Sequence, residues 1–169
     1  MNPAWEIHTG RLLMRPVTGG DLADLVRLKG DPRAFAVMLG GVRSAFQVAE
    51  ELAAEMSLWG RRGFGMWTLR DLADNGFAGI VGLMEREDGR GVALRFALAP
   101  ERHGHGYATE AAGAALRFAH ERAGLTRVVG VARVANLGSR NVLGAIGMRE
   151  VERFEREAEA MVMYASQIA

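Results

Sequence analysis

The segment Pro100-Glu101-Arg102-His103-Gly104-His105-Gly106-Tyr107-Ala108-Thr109-Glu110 joins the end of a predicted strand to the start of a predicted helix. Its glycines allow a tight turn and a close approach of the backbone to a ligand. The first N–H groups of the helix are unpaired and carry the positive end of its dipole. Arg102 and the two histidines add positive character. The segment predicts a cradle for phosphate or pyrophosphate; alternatively, the glycines only make the turn.

Two other phosphate-binding patterns fit this segment poorly. The pair Gly104 and Gly106 begins the glycine fingerprint of dinucleotide-binding proteins, but Thr109 stands at the third glycine position. The strand after the helix ends in Arg133 rather than in an acid for a ribose hydroxyl. A P-loop would need a Gly-Lys-Ser/Thr ending, which the segment lacks. The sequence therefore disfavours NAD and nucleoside triphosphates as ligands.

The elements around this segment predict a mixed sheet. Apolar runs over 64–70 and 77–84 are joined through Asp74-Asn75-Gly76, a strong hairpin signal, and Val92–Leu98 follows as a third strand. Helical spacing over 104–122 leads to a β-branched strand over 126–132. A strand, a helix and a buried strand form a βαβ unit, which places Val92–Leu98 and 126–132 parallel in one sheet.

The two ends of the chain complete this α/β architecture. The N-terminal part predicts a strand over 12–17, a short helix from Asp21 and a second helix from Ser44 to about Gly60. The C-terminal part predicts a helix over 139–146 and strands over 148–154 and 161–165. We expect a single domain over residues 1–169, with a mixed, mostly antiparallel sheet flanked by helices.

Composition excludes several kinds of protein. The 169 residues include 20 arginines, one lysine (Lys29), 20 acidic residues and no cysteine, for a net charge of +1. Disulfides, thiolate metal sites and a cysteine nucleophile are therefore impossible. The balanced charge predicts no general attraction to nucleic acid or membranes. We expect no bound metal. Without a signal peptide or an apolar span, the sequence predicts a cytoplasmic protein.

Residues Leu98 to Ala111 resemble the acetyl-CoA signature of the GNAT N-acetyltransferase superfamily. The resemblance is strongest to the RimJ/RimL-like branch, which acetylates the N-termini of ribosomal proteins. It extends to Gly10-Arg-Leu-Leu-Met-Arg-Pro16, to Gly79-Ile-Val-Gly-Leu83 and to residues 134–148. The core pattern of the family, Arg or Gln followed by x-x-Gly-x-Gly/Ala, falls on residues 103–108, so His103 takes the Arg/Gln position.

This resemblance implies a CoA-dependent reaction. The loop and helix start would bind the cofactor pyrophosphate, the preceding strand would offer main-chain groups to the pantetheine, and the sheet would splay between Val92–Leu98 and 126–132. The implied acetyl-CoA site contains Phe96, Ala97, Leu98, Arg102, His103, Gly104, His105, Gly106, Tyr107, Ala108, Asn136 and Ser139. Since the chain has no cysteine, we expect direct acetyl transfer in a ternary complex rather than through an acyl-enzyme.

The acceptor would be a primary amine, either a protein N-terminus or a small molecule. The resemblance also makes a homodimer plausible. Two alternatives stay open: a non-catalytic module that binds or senses acyl-CoA, and a nucleotide-binding protein. The acceptor would be selected by the loop Met38–Gly41, by Trp59 and Trp67, and by the last hairpin near 161–164; a place in the core is the alternative for most of these aromatic and methionine side chains. Self-acetylation of a side chain would have Lys29 as its one target.

The family pattern Asn-x-x-Ser implies roles for Asn136 and Ser139. We expect Ser139 to donate a proton to the leaving thiolate and Asn136 to anchor the pantetheine; helix capping is the alternative for both. Glu85 is the predicted base, with Glu87 as a second candidate, although carboxylates at a hairpin are commonly just solvated. Relatives often carry a glutamate where this chain has Ala93. The absence of that carboxylate here favours a water relay.

A further possibility concerns the first helical residue after the loop. Tyr107 could act as the acid in place of Ser139, but its spacing fits a core position equally well. His105 occupies the variable position of the loop and is expected to face solvent.

Overall fold

The computed structural model describes residues 2–169 and contains an eight-stranded sheet in the order β1-β2-β3-β4-β5-β6-β8-β7. Every neighbouring pair is antiparallel except β5 and β6, which are parallel. The predicted meander and βαβ unit are thus confirmed. The strands are β1 Ile7–His8, β2 Leu12–Pro16, β3 Met66–Asp71, β4 Phe77–Glu85, β5 Val92–Leu98, β6 Arg127–Arg133, β7 Arg149–Arg156 and β8 Glu159–Gln167.

The sheet splays between β5 and β6, as predicted. These strands pair only through Val92 with Val128 and Ala93 with Val129. β5 continues to Leu98 and β6 to Arg133, so the second halves of both strands run apart. A parallel pair whose ladder stops after the first two residues of β5 leaves most main-chain groups of β5 without a strand partner on that side.

Within residues 2–169, five α-helices accompany the sheet. α3 begins where the sequence predicts, because Ser44 forms a capping box: its Oγ accepts from the Gln47 N–H, and its own N–H donates to Gln47 Oε1. This helix ends two residues later than predicted, before Gly63 at φ +72°. The helices are α1 Leu22–Lys29, α2 Pro32–Phe35, α3 Ala45–Arg62, α4 Tyr107–Glu121 and α5 Leu137–Ala145.

Side chains of β3 show that α1 and α4 cover opposite faces of the sheet. Arg70 donates to Asp24 of α1 at 2.9 Å, whereas the next residue, Asp71, accepts from Tyr107 of α4 at 2.7 Å. Successive side chains of a strand point to opposite faces. Each face of the sheet is therefore covered by helices.

Two predicted acceptor-site residues belong to the core instead. Trp59 and Trp67 are 3% and 0% exposed, and their rings pack edge to face at 4.9 Å. Phe118 of α4 contacts both rings. Both tryptophans therefore take the core alternative raised from the sequence and do not select the acceptor, because their side chains are buried and pack against each other.

Two short elements were not predicted. The chain continues into α2 after Asp31, since the Asp31 carboxylate accepts from the Arg33 N–H and Pro32 occupies the first turn. β1 has only two residues and pairs with β2 through Ile7 and Met14. Neither element has enough residues for a periodic pattern.

Candidate functional site

The separation of β5 from β6 opens a cleft of about 1080 Å³. Its walls come from α3, β4, β5, β6, the start of α5, the connection between α2 and α3, and the hairpin of β7 and β8. Of the predicted site residues, the cleft brings together Glu85, Phe96, Ala97, Asn136 and Ser139, along with the second base candidate Glu87. Leu98 and residues 102–108 lie outside this lining, in and beside the loop that follows β5.

The loop after β5 presents backbone donors at the start of α4. Gly104 and Gly106 have φ values of +81° and +80°, a left-handed conformation that only glycine adopts readily. The N–H groups from Gly106 to Thr109 donate to no acceptor among residues 2–169. They are the usual unpaired donors of a helix start, so the loop has the chemistry of an anion cradle.

Two side chains expected to face phosphate have other partners. Arg102 donates to Asp71 at 2.8 Å and to Asp74 at 3.0 Å. The ring Nε2 of His103 lies 3.0 Å from the carbonyl oxygen of Leu98. His105 is exposed, as predicted. The positive charge of Arg102 is therefore already balanced by carboxylates, which leaves the backbone N–H groups as the main anion donors of the loop, as expected from the sequence.

Arg11 holds the loop from outside and was missed by the sequence analysis. Its guanidinium donates to the carbonyl oxygen of His105 at 2.8 Å and pairs with Glu110 at 2.8 Å. It also stacks 4.3 Å from the centre of the Tyr107 ring. Glu110 in turn accepts from the Thr9 hydroxyl. Arg11 lies in the resembling stretch of residues 10–16, which was the one signal that could have identified it.

Tyr107 does not line the cleft. Its hydroxyl donates to Asp71, and that hydrogen bond raises the pKa of Tyr107 above its ordinary value. The Ala73 N–H and the Tyr107 hydroxyl together hold the pKa of Asp71 below its ordinary value. A tyrosine with a raised pKa is a poor proton donor to a thiolate, so this arrangement disfavours Tyr107 as the acid.

Asn136 and Ser139 meet at the start of α5. The Asn136 side-chain oxygen accepts from the Ser139 N–H at 3.2 Å, which is the capping alternative raised from the sequence. Both residues are half-buried and line the cleft. Capping occupies the Asn136 oxygen and the Ser139 backbone, while the Ser139 hydroxyl is left for other chemistry.

The predicted base Glu85 lies at an exposed position. Its side chain is 43% exposed and lies 3.3 Å from Arg62 and 3.7 Å from Arg61. Glu87 is exposed as well, beside the turn where Arg86 holds the pKa of Asp88 down to about 2. Both residues therefore lie at the exposed rim of the cleft rather than in its depth.

A buried ionic cluster lies deeper in the cleft and was not predicted. Lys29, 3% exposed, contacts Glu51 at 2.9 Å and Glu55 at 3.3 Å, and Arg43 pairs with Glu51 at 3.0 Å. Glu55 is 8% exposed, and within residues 2–169 its Oε2 has no hydrogen-bond partner. The sequence holds one signal of this cluster. Lys29 is the single lysine among 20 arginines, so this position alone carries a compact ammonium in place of a guanidinium.

The charges around the cleft balance. Eight acidic and eight basic side chains line it. Net charge therefore selects neither a polycation nor a polyanion as acceptor. In residues 2–169 no group of three His, Cys, Asp or Glu residues has a metal-binding arrangement, and no helix there has both the length and the apolar character of a membrane span.

Comparisons with known proteins agree with this geometry. Residues 11–149 match the family model described as acetyltransferase (GNAT) domain. The chain is 26% identical over 162 residues to the FsC-acetyl coenzyme A-N(2)-transacetylase of Aspergillus fumigatus, with 88% of this chain covered. It spans 66% of the length of that relative.

Solved structures share the fold. An acetyltransferase from Agrobacterium tumefaciens superposes with a TM-score of 0.85 at 22% identity, covering 96% of this chain and 94% of that one. A RimL ribosomal-protein α-N-acetyltransferase, solved in complex with coenzyme A, superposes with a TM-score of 0.80 at 18% identity, covering 96% and 98% of the two chains.

Proposed function

The chain belongs to the acetyltransferase (GNAT) family, and we propose that it transfers the acetyl group of acetyl-CoA directly to a primary amine of a protein N-terminus or a small molecule. The observation that carries this proposal is the separation of β5 from β6 beyond Ala93 and Val129, next to a helix start whose N–H groups are unpaired. An extended thioester arm and a pyrophosphate need these two features side by side.

The residues present fit acetyl-CoA. A Cβ on Gly104 would meet nothing within 4 Å, so the space in front of the loop is open to a ligand. The N–H groups from Gly106 to Thr109 would hold the pyrophosphate, and the main chain of Phe96, Ala97 and Leu98 would hold the pantetheine. Arg102 and Arg11 would fix the loop, because both guanidiniums bind elements around it. Acetyl-CoA supplies the activated acetyl group.

Protein side chains must then support two proton transfers, one from the acceptor ammonium and one to the leaving thiolate. The acceptor enters as an ammonium with a pKa of about 10 for an alkylamine, so a carboxylate or a water chain must remove a proton before the nitrogen can attack. Ser139 would donate a proton to the leaving thiolate, and Asn136 would anchor the arm beside it. For the first transfer, Glu85, Glu87 and a water relay are the sequence-derived candidates.

The test is release of free CoA. Because the chain has no cysteine, a thiol-reactive dye reports the product thiol alone. We expect acetyl-CoA to raise the melting temperature, and thiol release to depend on one class in a panel of N-terminal peptides, polyamines and aminoglycosides. Acetyl-CoA binding without release on any amine would instead support a non-catalytic acyl-CoA module. Stabilisation by NAD or ATP, but not by CoA, would overturn both readings.

A further inference from the structure

Glu55 is an unusual carboxylate for a helix of this protein. It lines the cleft from α3 and is 8% exposed, yet its Oε2 has no hydrogen-bond partner among residues 2–169. A buried carboxylate oxygen without a partner loses its hydration and gains nothing in return. Such an orphaned acceptor in a cleft indicates a missing donor.

Pairing with Lys29 does not account for this oxygen. The Lys29 ammonium reaches Glu51 at 2.9 Å and the other Glu55 oxygen, Oε1, at 3.3 Å. Both oxygens of Glu51 are used, since Arg43 binds the second one at 3.0 Å. Glu51 and Glu55 lie one turn apart on α3 and share the same lysine. Of the two, only Glu55 has a side-chain oxygen without a hydrogen-bond partner among residues 2–169.

The sheet opposite Glu55 is shaped for a ligand. Ala93, Arg95 and Ala97 alternate along β5 and therefore point to one face, and all three line the cleft. Arg95 and Glu55 both line the cleft. Small side chains on either side of Arg95 leave room between β5 and α3. The position of Ala93, which offers no carboxylate, lies on the same wall.

We propose that Glu55 binds the ammonium group of the acceptor and removes its proton. This inference rests on the proposed acetyltransferase function and names the base for it. Terminal torsions of glutamate are broad, so a small rotation presents Oε2 to the cleft while Oε1 stays near Lys29. Glu85, solvated and held by Arg61 and Arg62, becomes a residue of the cleft rim.

The surroundings of Glu55 suit this task. Burial raises the pKa of the Glu55 carboxyl, and the nearby Glu51 raises it further, while Lys29 and Arg95 act in the opposite direction. Arg43 faces the cluster through Glu51. A carboxylate whose pKa is raised toward the working pH is a better proton acceptor than an ordinary surface glutamate.

The proton balance is complete without another reactant. The ammonium gives one proton to Glu55, which becomes a neutral acid, and the neutral nitrogen forms a bond to the acetyl carbon. As the carbon–sulfur bond breaks, Ser139 donates its proton to the departing thiolate, and the second proton of the nitrogen passes to the Ser139 oxygen and restores the hydroxyl. Glu55 returns its proton to solvent, so one proton is released for each amide formed.

The experiment compares pH profiles of kcat/KM for the wild type, Glu55→Gln and Glu51→Gln, measured by thiol release. One acceptor is a peptide with a free α-amine and the other is a primary alkylamine, since their ammonium pKa values differ by about two units. We expect Glu55→Gln to lose about 10²-fold in kcat/KM at pH 7. Its residual rate should rise with pH up to the pKa of each amine, because the acceptor must then arrive neutral.

The wild type should show a low-pH limb that does not change with the amine and lies above the ordinary range of a glutamate. Glu51→Gln should keep this limb at a lower pH, because the Glu51 charge raises the pKa of Glu55. Binding of acetyl-CoA by Glu55→Gln, measured by calorimetry, shows that the variant is folded. Should that variant not fold, Glu55→Asp keeps the carboxylate and is expected to retain the limb with reduced kcat/KM.

The outcomes separate this assignment from the proposed function. Thiol release by the wild type together with an unchanged profile in Glu55→Gln overturns the role of Glu55 only. If the low-pH limb of the kcat/KM profile disappears in Glu85→Gln instead, the base is Glu85. No thiol release by the wild type with any amine of the panel overturns the acetyltransferase proposal, and the role of Glu55 with it.

Discussion

The hydroxyl of Tyr107 donates to the Asp71 carboxylate at 2.7 Å, and this bond ties the first residue of α4 to the last residue of β3. Arg102, in the turn before the glycine loop of residues 103–106, donates to the same carboxylate oxygen. The loop between Arg102 and Tyr107 is thus fixed at both ends to one aspartate. Such support keeps backbone N–H groups oriented without a ligand, which lowers the entropic cost of binding an anion.

Replacing Tyr107 with phenylalanine tests whether this residue supports the loop or donates a proton. Phenylalanine keeps the ring that packs under Arg11 and removes only the hydroxyl. We expect KM for acetyl-CoA to rise about tenfold, as for the loss of one hydrogen bond to a charged group, with kcat largely retained. Steady-state kinetics decide this. A large fall in kcat at unchanged KM would instead identify Tyr107 as the acid.

The lowered pKa of Asp71 predicts how the free energy of unfolding depends on pH. The Ala73 N–H and the Tyr107 hydroxyl lower its pKa in the folded state. Its contribution to stability is therefore present above its unfolded pKa of about 3.9 and is lost as pH falls through the lower folded value. In urea unfolding, Asp71→Asn should be clearly less stable than the wild type at pH 6. The two should converge as the pH is lowered; a constant difference down to pH 2 would contradict this.

The fold was predictable because its main elements carry local signals. Asp74-Asn75-Gly76 predicted the hairpin of β3 and β4, and Asn75 indeed adopts the left-handed conformation with φ of +58°. Ser44 predicted the start of α3 through a cap that uses residues three apart. These interactions are complete within a few residues, so they can be read before any tertiary contact is known.

The candidate site was only partly predictable because its side chains are organised by distant partners. The guanidinium of Arg102 has the chemistry to bind phosphate. In the folded chain it instead pairs with Asp71, which lies 31 residues away in the sequence. Glu55 occupies one turn of an amphipathic helix, where a charged residue is usually solvated. Its burial depends on Lys29 of α1, 26 residues earlier, and no local pattern encodes that contact.

Ser139→Ala separates proton donation from capping at the start of α5. The Ser139 N–H, which Asn136 binds, is kept in the variant, so the cap survives. We expect kcat to fall about 10²-fold with little change in the Kd for CoA. Asn136→Ala is the matched control, since it removes the cap and should lower the unfolding free energy by about 1 kcal/mol. Equal losses of kcat and CoA affinity in Ser139→Ala would show a structural role only.

Gly106→Ala tests the backbone of the cradle. Gly106 has φ of +80°, and an alanine there costs about 1 kcal/mol because its Cβ clashes in the left-handed conformation. Relaxing this strain would turn the first N–H groups of α4, so we expect weaker CoA binding by calorimetry along with lower stability. The matched control is Gly144→Ala in α5, where a Cβ meets nothing within 4 Å. It should gain about 0.5 kcal/mol in stability and leave CoA binding unchanged.

Lys29 allows a test of self-acetylation and of the buried cluster together. It is the single lysine of the chain, its side chain is 4% exposed, and both Glu51 and Glu55 bind its ammonium. Acylation requires a neutral, accessible amine, so this side chain should resist both acetyl-CoA and acetic anhydride in the folded protein. Mass spectrometry of peptides should find Lys29 unmodified after native treatment and fully acetylated after treatment in denaturant. Rapid native modification would show that α1 and α3 separate, and that the carboxylates around Lys29 are open to solvent.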